Sequence, residues 1–391
     1  MLSNLFLVLI SANAAFSATL YVSPSGSDTA AGTLAAPYKS IQVAVNKAVA
    51  GDTIYLRAGT YSLTTNIQIK SKSGTASAPI TLSSYSGEKV VIDGEGLPYT
   101  PAALDASLPA ASRGILHIEK ANYWKFYGLE LKNGPYGVYA VDSSNNYYER
   151  LITRDNYETG FQMQGASAKN TILYLDSYGN RDPRKNGESA DGFACKEGSG
   201  EGNLLKGARL WNNVDDGLDL WEFKSAVTIE DTISWGNGVN RWGFSDFQGD
   251  GNGFKLGGGD AADKGPANHV ITNCIAFQNA AKGFTDNSQT GNFVFTRNTA
   301  WKNGDTGFKS STAASTFKSN IAVNNGNSQV SLSGKYTQTG NSWQSGTWND
   351  ASFKSTSSAA VTGARASNGK VVGSDFLIPT SGAAIGATTY W

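Results

Sequence analysis

Two residue columns recur along the chain at intervals of roughly two dozen residues, and they leave few folds open. In the first, a glycine precedes an apolar residue: Gly137-Val138, Gly160-Phe161, Gly192-Phe193, Gly217-Leu218, Gly253-Phe254, Gly283-Phe284 and Gly307-Phe308. In the second, an aromatic residue is followed two places on by asparagine: Tyr178/Asn180, Trp211/Asn213, Trp235/Asn237, Phe277/Asn279 and Trp301/Asn303, continued by Val323/Asn325. Short strands and polar turns repeated at a fixed period describe a solenoid, in which each turn stacks on the one before. Asparagine at one corner of each turn predicts a ladder of side-chain amides along the stack. The aromatic residues predict a second stacked column, facing inward in the core. A β-sandwich with chance repeats is the alternative.

The rest of the chain suits the same reading. Before residue 136, apolar runs at 67–69, 80–82, 90–92, 115–118 and 124–127 are bounded by turn residues and predict further short strands. One segment has a different period. Ile41, Ala44, Val45, Ala48 and Val49 lie on one helical face after Ser40, a candidate N-cap, and the pattern ends near Gly51. A helix there suits the lid on an open stack, whose end rung otherwise recruits other chains. After Ser328 the register fades into Gly-, Ser-, Thr- and Ala-rich sequence. Phe353, Val371, Phe376, Leu377 and Tyr390 are its apolar anchors. Residues 328–391 are therefore expected to be a tail packed back on the stack and capping its far end. The expected organisation is one solenoid unit over 19–391, with 19–61 as its N-terminal cap region.

Residues 1–18 carry an apolar run from Leu5 to Ile10, then Ala14, Ala15, Ser17 and Ala18, the pattern of a secretory signal peptide. The run is too short to span a bilayer, and no later segment reads as transmembrane. Export implies an oxidising compartment, where Cys195 and Cys274 would pair by default. The repeat register sets them more than two turns apart, beyond disulfide reach, so two buried free thiols are expected. Formal net charge is zero over 391 residues. Nothing global steers the surface to nucleic acid or to a membrane, and an anionic partner has to be gripped locally.

The repeat also assembles chemistry. With the recurrent glycine as reference, Asp191 and Asp216 sit just before it on successive turns, and Asp219 and Lys255 sit two after it, also on successive turns. Neighbouring parallel strands lie about 4.8 Å apart, so these residues are stacked neighbours despite their sequence separation. Asp191, Asp215, Asp216 and Asp219 then converge on one patch, with Lys255 one rung along. Oxygen-only ligation favours Ca²⁺ over Zn²⁺; His117 and His269 fall outside the patch and read as structural. Spacing alone leaves Lys255 equally a base or the counter-ion of Asp219. A carboxylate neighbour raises a lysine pKa and a divalent cation lowers it. Two copies of the repeat carry extra residues, 181–190 and 238–251. These must leave the stack as loops on either side of Asp215, where they can wall a cleft.

Several motifs resemble the pectate lyases of polysaccharide lyase family 9. They are Asp191-Gly192-Phe193-Ala194-Cys195-Lys196, the run from Asn212 through Asp215-Asp216-Gly217-Leu218-Asp219 to Leu220, Trp235-Gly236-Asn237-Gly238, and Gly251-Asn252-Gly253-Phe254-Lys255-Leu256-Gly257. The resemblance covers most of the mature chain. It implies an all-β fold, a single-stranded right-handed parallel β-helix. It also implies Ca²⁺ on Asp191, Asp215, Asp216 and Asp219, and Lys255 as the base of a β-elimination on polygalacturonate or pectin, with 4,5-unsaturated products. The expected protein is a secreted monomer. Lys196, Arg184, Lys185 and Lys224 are candidate grips on substrate carboxylates. The alternatives are a lyase for another uronate polymer (alginate or a glycosaminoglycan), a galacturonan hydrolase working with an acid–base carboxyl pair, and a non-catalytic solenoid that binds sugar and uses Ca²⁺ for rigidity.

Overall fold

A computed structural model describes residues 17–260 and 265–391. The leader expected over 1–18 lies outside them up to residue 16. The chain winds into a stack of triangular turns, each giving one strand to each of three sheets, which hold twelve, ten and ten strands. Neighbouring strands within a sheet run parallel and in register, as in Gly160-preceded Phe161 beside Phe193, Phe193 beside Leu218, and Ile233 beside Ile275. This is a parallel β-helix. No helix among the described residues is long and apolar enough to cross a membrane.

Local sterics explain the glycine column. A β-carbon on Gly217 would lie 2.7 Å from the carbonyl oxygen of Gly253 on the next turn and 2.0 Å from Ser234 Oγ. Only a residue without that carbon lets the backbone turn there. The asparagine column is a continuous buried ladder. Each amide Nδ2 donates to the Oδ1 of the next turn, from Asn156 through Asn180, Asn213, Asn237, Asn279 and Asn303 to Asn325, at 2.8–3.0 Å. A second ladder at another corner joins Asn298, Asn320 and Asn341. His269 stands in a corner of this kind: burial drives its pKa down to about 3, and its neutral Nδ1 accepts from Val227 N–H at 3.1 Å. Asn279→Ala would strand the Asn237 backbone N–H and remove one acceptor of the Asn237 amide, both of which donate to Asn279 Oδ1. We expect it to cost about 2–4 kcal/mol in a urea melt; a shift below about 1 kcal/mol would show that the ladder is not a source of stability.

Strand alternation sorts the side chains. Phe193, Cys195, Leu218, Leu220, Phe254 and Leu256 point into the lumen and join its apolar core. Inside, rings stack from turn to turn, for example Phe254, Phe284 and Phe308 with centroids 4.7 Å apart. The column Tyr178, Trp211, Trp235 and Phe277 also stacks, at 4.1, 4.9 and 5.6 Å. It does not face inward as expected. Leu210, Ala276 and Ala300 take the lumen positions of those strands. Phe277 and Trp301 lie outside, beneath Phe353, Val361, Val371, Phe376 and Leu377 of the tail.

The tail departs from expectation in where it begins. Strands Ser328–Leu332 and Tyr336–Thr339 still pair with the stack, so the solenoid runs past Ser328. Beyond them the chain lies along the flank, pinned where Arg365 joins Arg209 around buried Asp176. The far end is closed by Trp343, which packs on Phe308 and Phe317. At the other end the helix spans Ile41–Lys47, shorter than the pattern suggested, and Ser40 gives it no side-chain cap; its hydroxyl donates instead to Asp28. Cys195 and Cys274 are buried and unpaired, with burial pushing both thiols up.

Candidate active site

One sheet presents the acids. Because residues on either side of each point into the lumen, Asp219 and Lys255 project outward from adjacent strands, paired directly in register. Lys196, two residues past the register partner of Asp219, projects the same way. Asp191, Asp215 and Asp216 come from the corner before this sheet. All four carboxylates are at most 1% exposed. They are covered because both long insertions fold over them. The loops touch each other, with Gln248 N–H donating to Asn186 O at 3.0 Å. The result is a cleft of about 590 Å³ whose lining includes Asp219, Lys255, Lys196, Arg184, Lys185 and Trp221.

Within the patch, oxygens of Asp191, Asp216 and Asp219 lie within 4.8 Å of one another, and so do those of Asp215, Asp216 and Asp250. Asp216 belongs to both sets. Its Oδ1 accepts from Asn252 N–H at 2.6 Å and from the Asn252 amide at 2.9 Å, whereas its Oδ2 is buried and receives no hydrogen bond. The Lys255 Nζ is 3.3 Å from that oxygen, 3.5 Å from Asp219 and 2.8 Å from Asp250. Lys196 Nζ bridges Asp191 at 2.7 Å and Asp219 at 2.9 Å.

The charges do not balance. Four buried carboxylates face two ammonium groups, and one divalent cation would close the difference. Burial, then mutual repulsion, pushes Asp215 well above the carboxylate range. Burial pushes Asp191 to about 6 and Asp216 to about 7, although Lys196 and Lys255 respectively pull them down. Asp219 alone is held low, because the two lysines outweigh its burial. Burial lowers Lys255, but Asp219 and Asp216 more than reverse it and hold the ammonium well above its ordinary value. An oxygen-only donor set, a buried carboxylate oxygen that receives no hydrogen bond and a charge deficit fit a hard divalent ion.

Of the other candidates, Arg184 lines the cleft and pairs with Glu158 at 2.5 Å, and Lys185 lines it beside Glu188 at 3.5 Å. Lys196 sits inside the acid cluster rather than out along the cleft. Lys224 falls elsewhere, in a neighbouring hollow with Glu197 and Glu222. His117 and His269 are both structural, the first donating to Arg113 O. Sequence reasoning missed Asp250 and Arg113, which stand in irregular segments without a repeat position, and Trp221, which continues the register beside Lys196. Trp221 packs its ring 5.3 Å from the Lys255 ammonium.

Residues 20–327 match the family described as Pel9A-like, right handed beta helix region. Pectate lyase PEL9 of Emericella nidulans is 65% identical over 395 residues, covering 97% of this chain and 96% of its own. A crystal structure of pectate lyase Pel9A superposes with a TM-score of 0.74 at 28% identity, covering 95% of this chain and 91% of that one. A rhamnogalacturonan lyase superposes with a TM-score of 0.81 at 25% identity, covering 93% of this chain and 96% of that one.

Proposed function

The chain belongs to the Pel9A-like right-handed β-helix family of pectate lyases, and on that premise we propose that it is a secreted, calcium-dependent polygalacturonate lyase using Lys255 as its base. The observation that carries this reading is the pairing of Lys255 with Asp219 across adjacent turns, beside a buried acid cluster with too little positive charge. In this reading residues 1–18 are a leader, and 19–391 form one catalytic unit acting as a monomer.

Asp191, Asp215, Asp216 and Asp219 are the proposed ligands of Ca²⁺. When bound, the ion supplies a Lewis acid that draws charge from the uronate carboxyl and acidifies the C5 proton. Lys255, in its neutral form, takes that proton. The C5 electron pair forms the C4–C5 double bond as the C4–O4 bond breaks, and O4 leaves with its chain and gains a proton. Lys255 needs offsetting charge to be neutral, because the acids around it favour the ammonium. Arg184 and Lys185 on the loop wall, and Lys196 on the cleft floor, are the proposed grips on substrate carboxylates; Lys224 serves only a chain that extends past the cleft.

Polygalacturonate incubated with the protein at alkaline pH is expected to develop the ultraviolet absorbance of unsaturated ends. Chelator should abolish it and added Ca²⁺ restore it. Reducing ends without absorbance would mean hydrolysis and sink the lyase reading. The likeness to the rhamnogalacturonan lyase supports a second reading, activity on that polymer; it and alginate belong in the same substrate series.

A further inference from the structure

Five cationic side chains line the cleft: Lys255, Lys196, Arg184, Lys185 and Arg113. Four of them have a carboxylate within ion-pair distance, at 2.8, 2.7, 2.5 and 3.5 Å respectively. Among the described residues Arg113 has none. Its Nη1 donates to Tyr139 OH at 3.2 Å, its guanidinium lies over the Tyr139 ring at 5.4 Å, and its Nε is buried without a partner.

This guanidinium is held in place. The Tyr139 hydroxyl donates onward to Gln164 Oε1 at 2.6 Å. The His117 ring stacks on Tyr139 at 5.6 Å, and its Nδ1–H donates to the Arg113 carbonyl at 2.9 Å. A fixed planar fork of donors, near Glu197 but with no carboxylate in ion-pair contact, suits two-point recognition of a carboxylate. Its position says which carboxylate. The register runs from Tyr139 through Gln162, Ala194 and Asp219 to Lys255. At about 4.8 Å per rung that is roughly 19 Å along the cleft. By backbone register Arg113 is therefore set several rungs from Lys255 in the same cleft.

We propose that Arg113 grips the carboxylate of a uronate several units along the same polymer, forming an outlying subsite that makes the enzyme prefer long, unesterified chains. This rests on the lyase reading above. Tyr139 and His117 are its positioning residues.

The test compares Arg113→Gln with wild type on polygalacturonate and on trigalacturonate, the substrate expected to fill the cleft at Lys255 without engaging Arg113. KM for the polymer is expected to rise about tenfold or more relative to any change on the trimer. Lowering salt should widen the gap, and methyl esterification of the polymer should close it. An equal loss on both substrates would make Arg113 merely structural, and no loss on the polymer would remove the subsite. Binding of a long oligogalacturonate to Lys255→Ala, with and without Arg113→Gln, reads the same grip without turnover. There an affinity drop of about tenfold is expected, and equal affinities overturn the inference. Wild type that binds polygalacturonate but never cleaves it would overturn the lyase reading while leaving the Arg113 result readable.

Discussion

Lys255→Ala is expected to lower kcat on polygalacturonate by about a thousandfold, within the ~10²–10⁴ that a positioned general base contributes, while the protein stays folded and binds Ca²⁺. The residue is 7% exposed and its ammonium touches three acids. That geometry serves a base and a counter-ion alike, so the alanine variant alone does not separate them. Lys255→Arg does. Arginine keeps the positive charge next to Asp216 and Asp219 but does not give up its proton in a protein. If the residue only balances charge, the arginine variant keeps most of its activity; if it is the base, both variants are equally inactive. The pH profile adds a second reading. The acids raise the Lys255 pKa, so turnover should climb with pH on the alkaline side as the neutral amine becomes populated. The residual activity of the alanine variant should lack that rise. An arginine variant with near wild-type turnover would end the proposed mechanism.

What was legible in the sequence follows from how a solenoid maps sequence onto space. Gly217 is forced by the carbonyl of Gly253 one turn away, and Asn213 by the amides above and below it. Both constraints repeat each turn, so they print a period. Once the period is known, Asp219 and Lys255 are neighbours by counting. The aromatic column shows the limit of counting. Trp235 and Phe277 recur at one position, but recurrence does not say which face of the sheet is buried. The tail buries the outer face here, and small residues such as Ala276 fill the lumen. Alternation from Cys195 and Leu218, which face inward, does place Lys196 on the acid side, and that signal was present in the sequence. Asp250 and Arg113 had none, because each lies in a segment that leaves the stack and answers to no repeat position. The tail anchors, too, find their partners through contacts such as Arg365 with Asp176, which no periodicity records.

Removing Ca²⁺ is expected to destabilise the protein by an amount that grows with pH. In the ion-free fold burial pushes Asp191 up to about 6 and Asp216 up to about 7 from the ordinary 3.8, and burial with repulsion from Asp216 raises Asp215 well above it too. Between 3.8 and about 7 the folded state therefore holds protons that the unfolded chain has released, so this cluster loses stability as pH rises through that window. Asp219, held low by Lys196 and Lys255, acts in the opposite sense only below 3.8. Bound Ca²⁺ replaces the protons, and at a hundredfold excess over its Kd it contributes about 2.7 kcal/mol. The gain in Tm on adding Ca²⁺ should thus be small near pH 4 and several degrees above pH 7. Taking the difference with and without Ca²⁺ removes Glu158 and Asp182, which are also raised but lie outside the proposed ligand set. Asp216→Asn isolates the cause, because it replaces the carboxylate shared by both acid sets with a neutral group of the same shape. Ion-free, that variant should melt above ion-free wild type at pH 8, gain nothing from Ca²⁺, and turn over no polygalacturonate. A variant that still gains the wild-type increment from Ca²⁺ would place the ion somewhere other than this cluster.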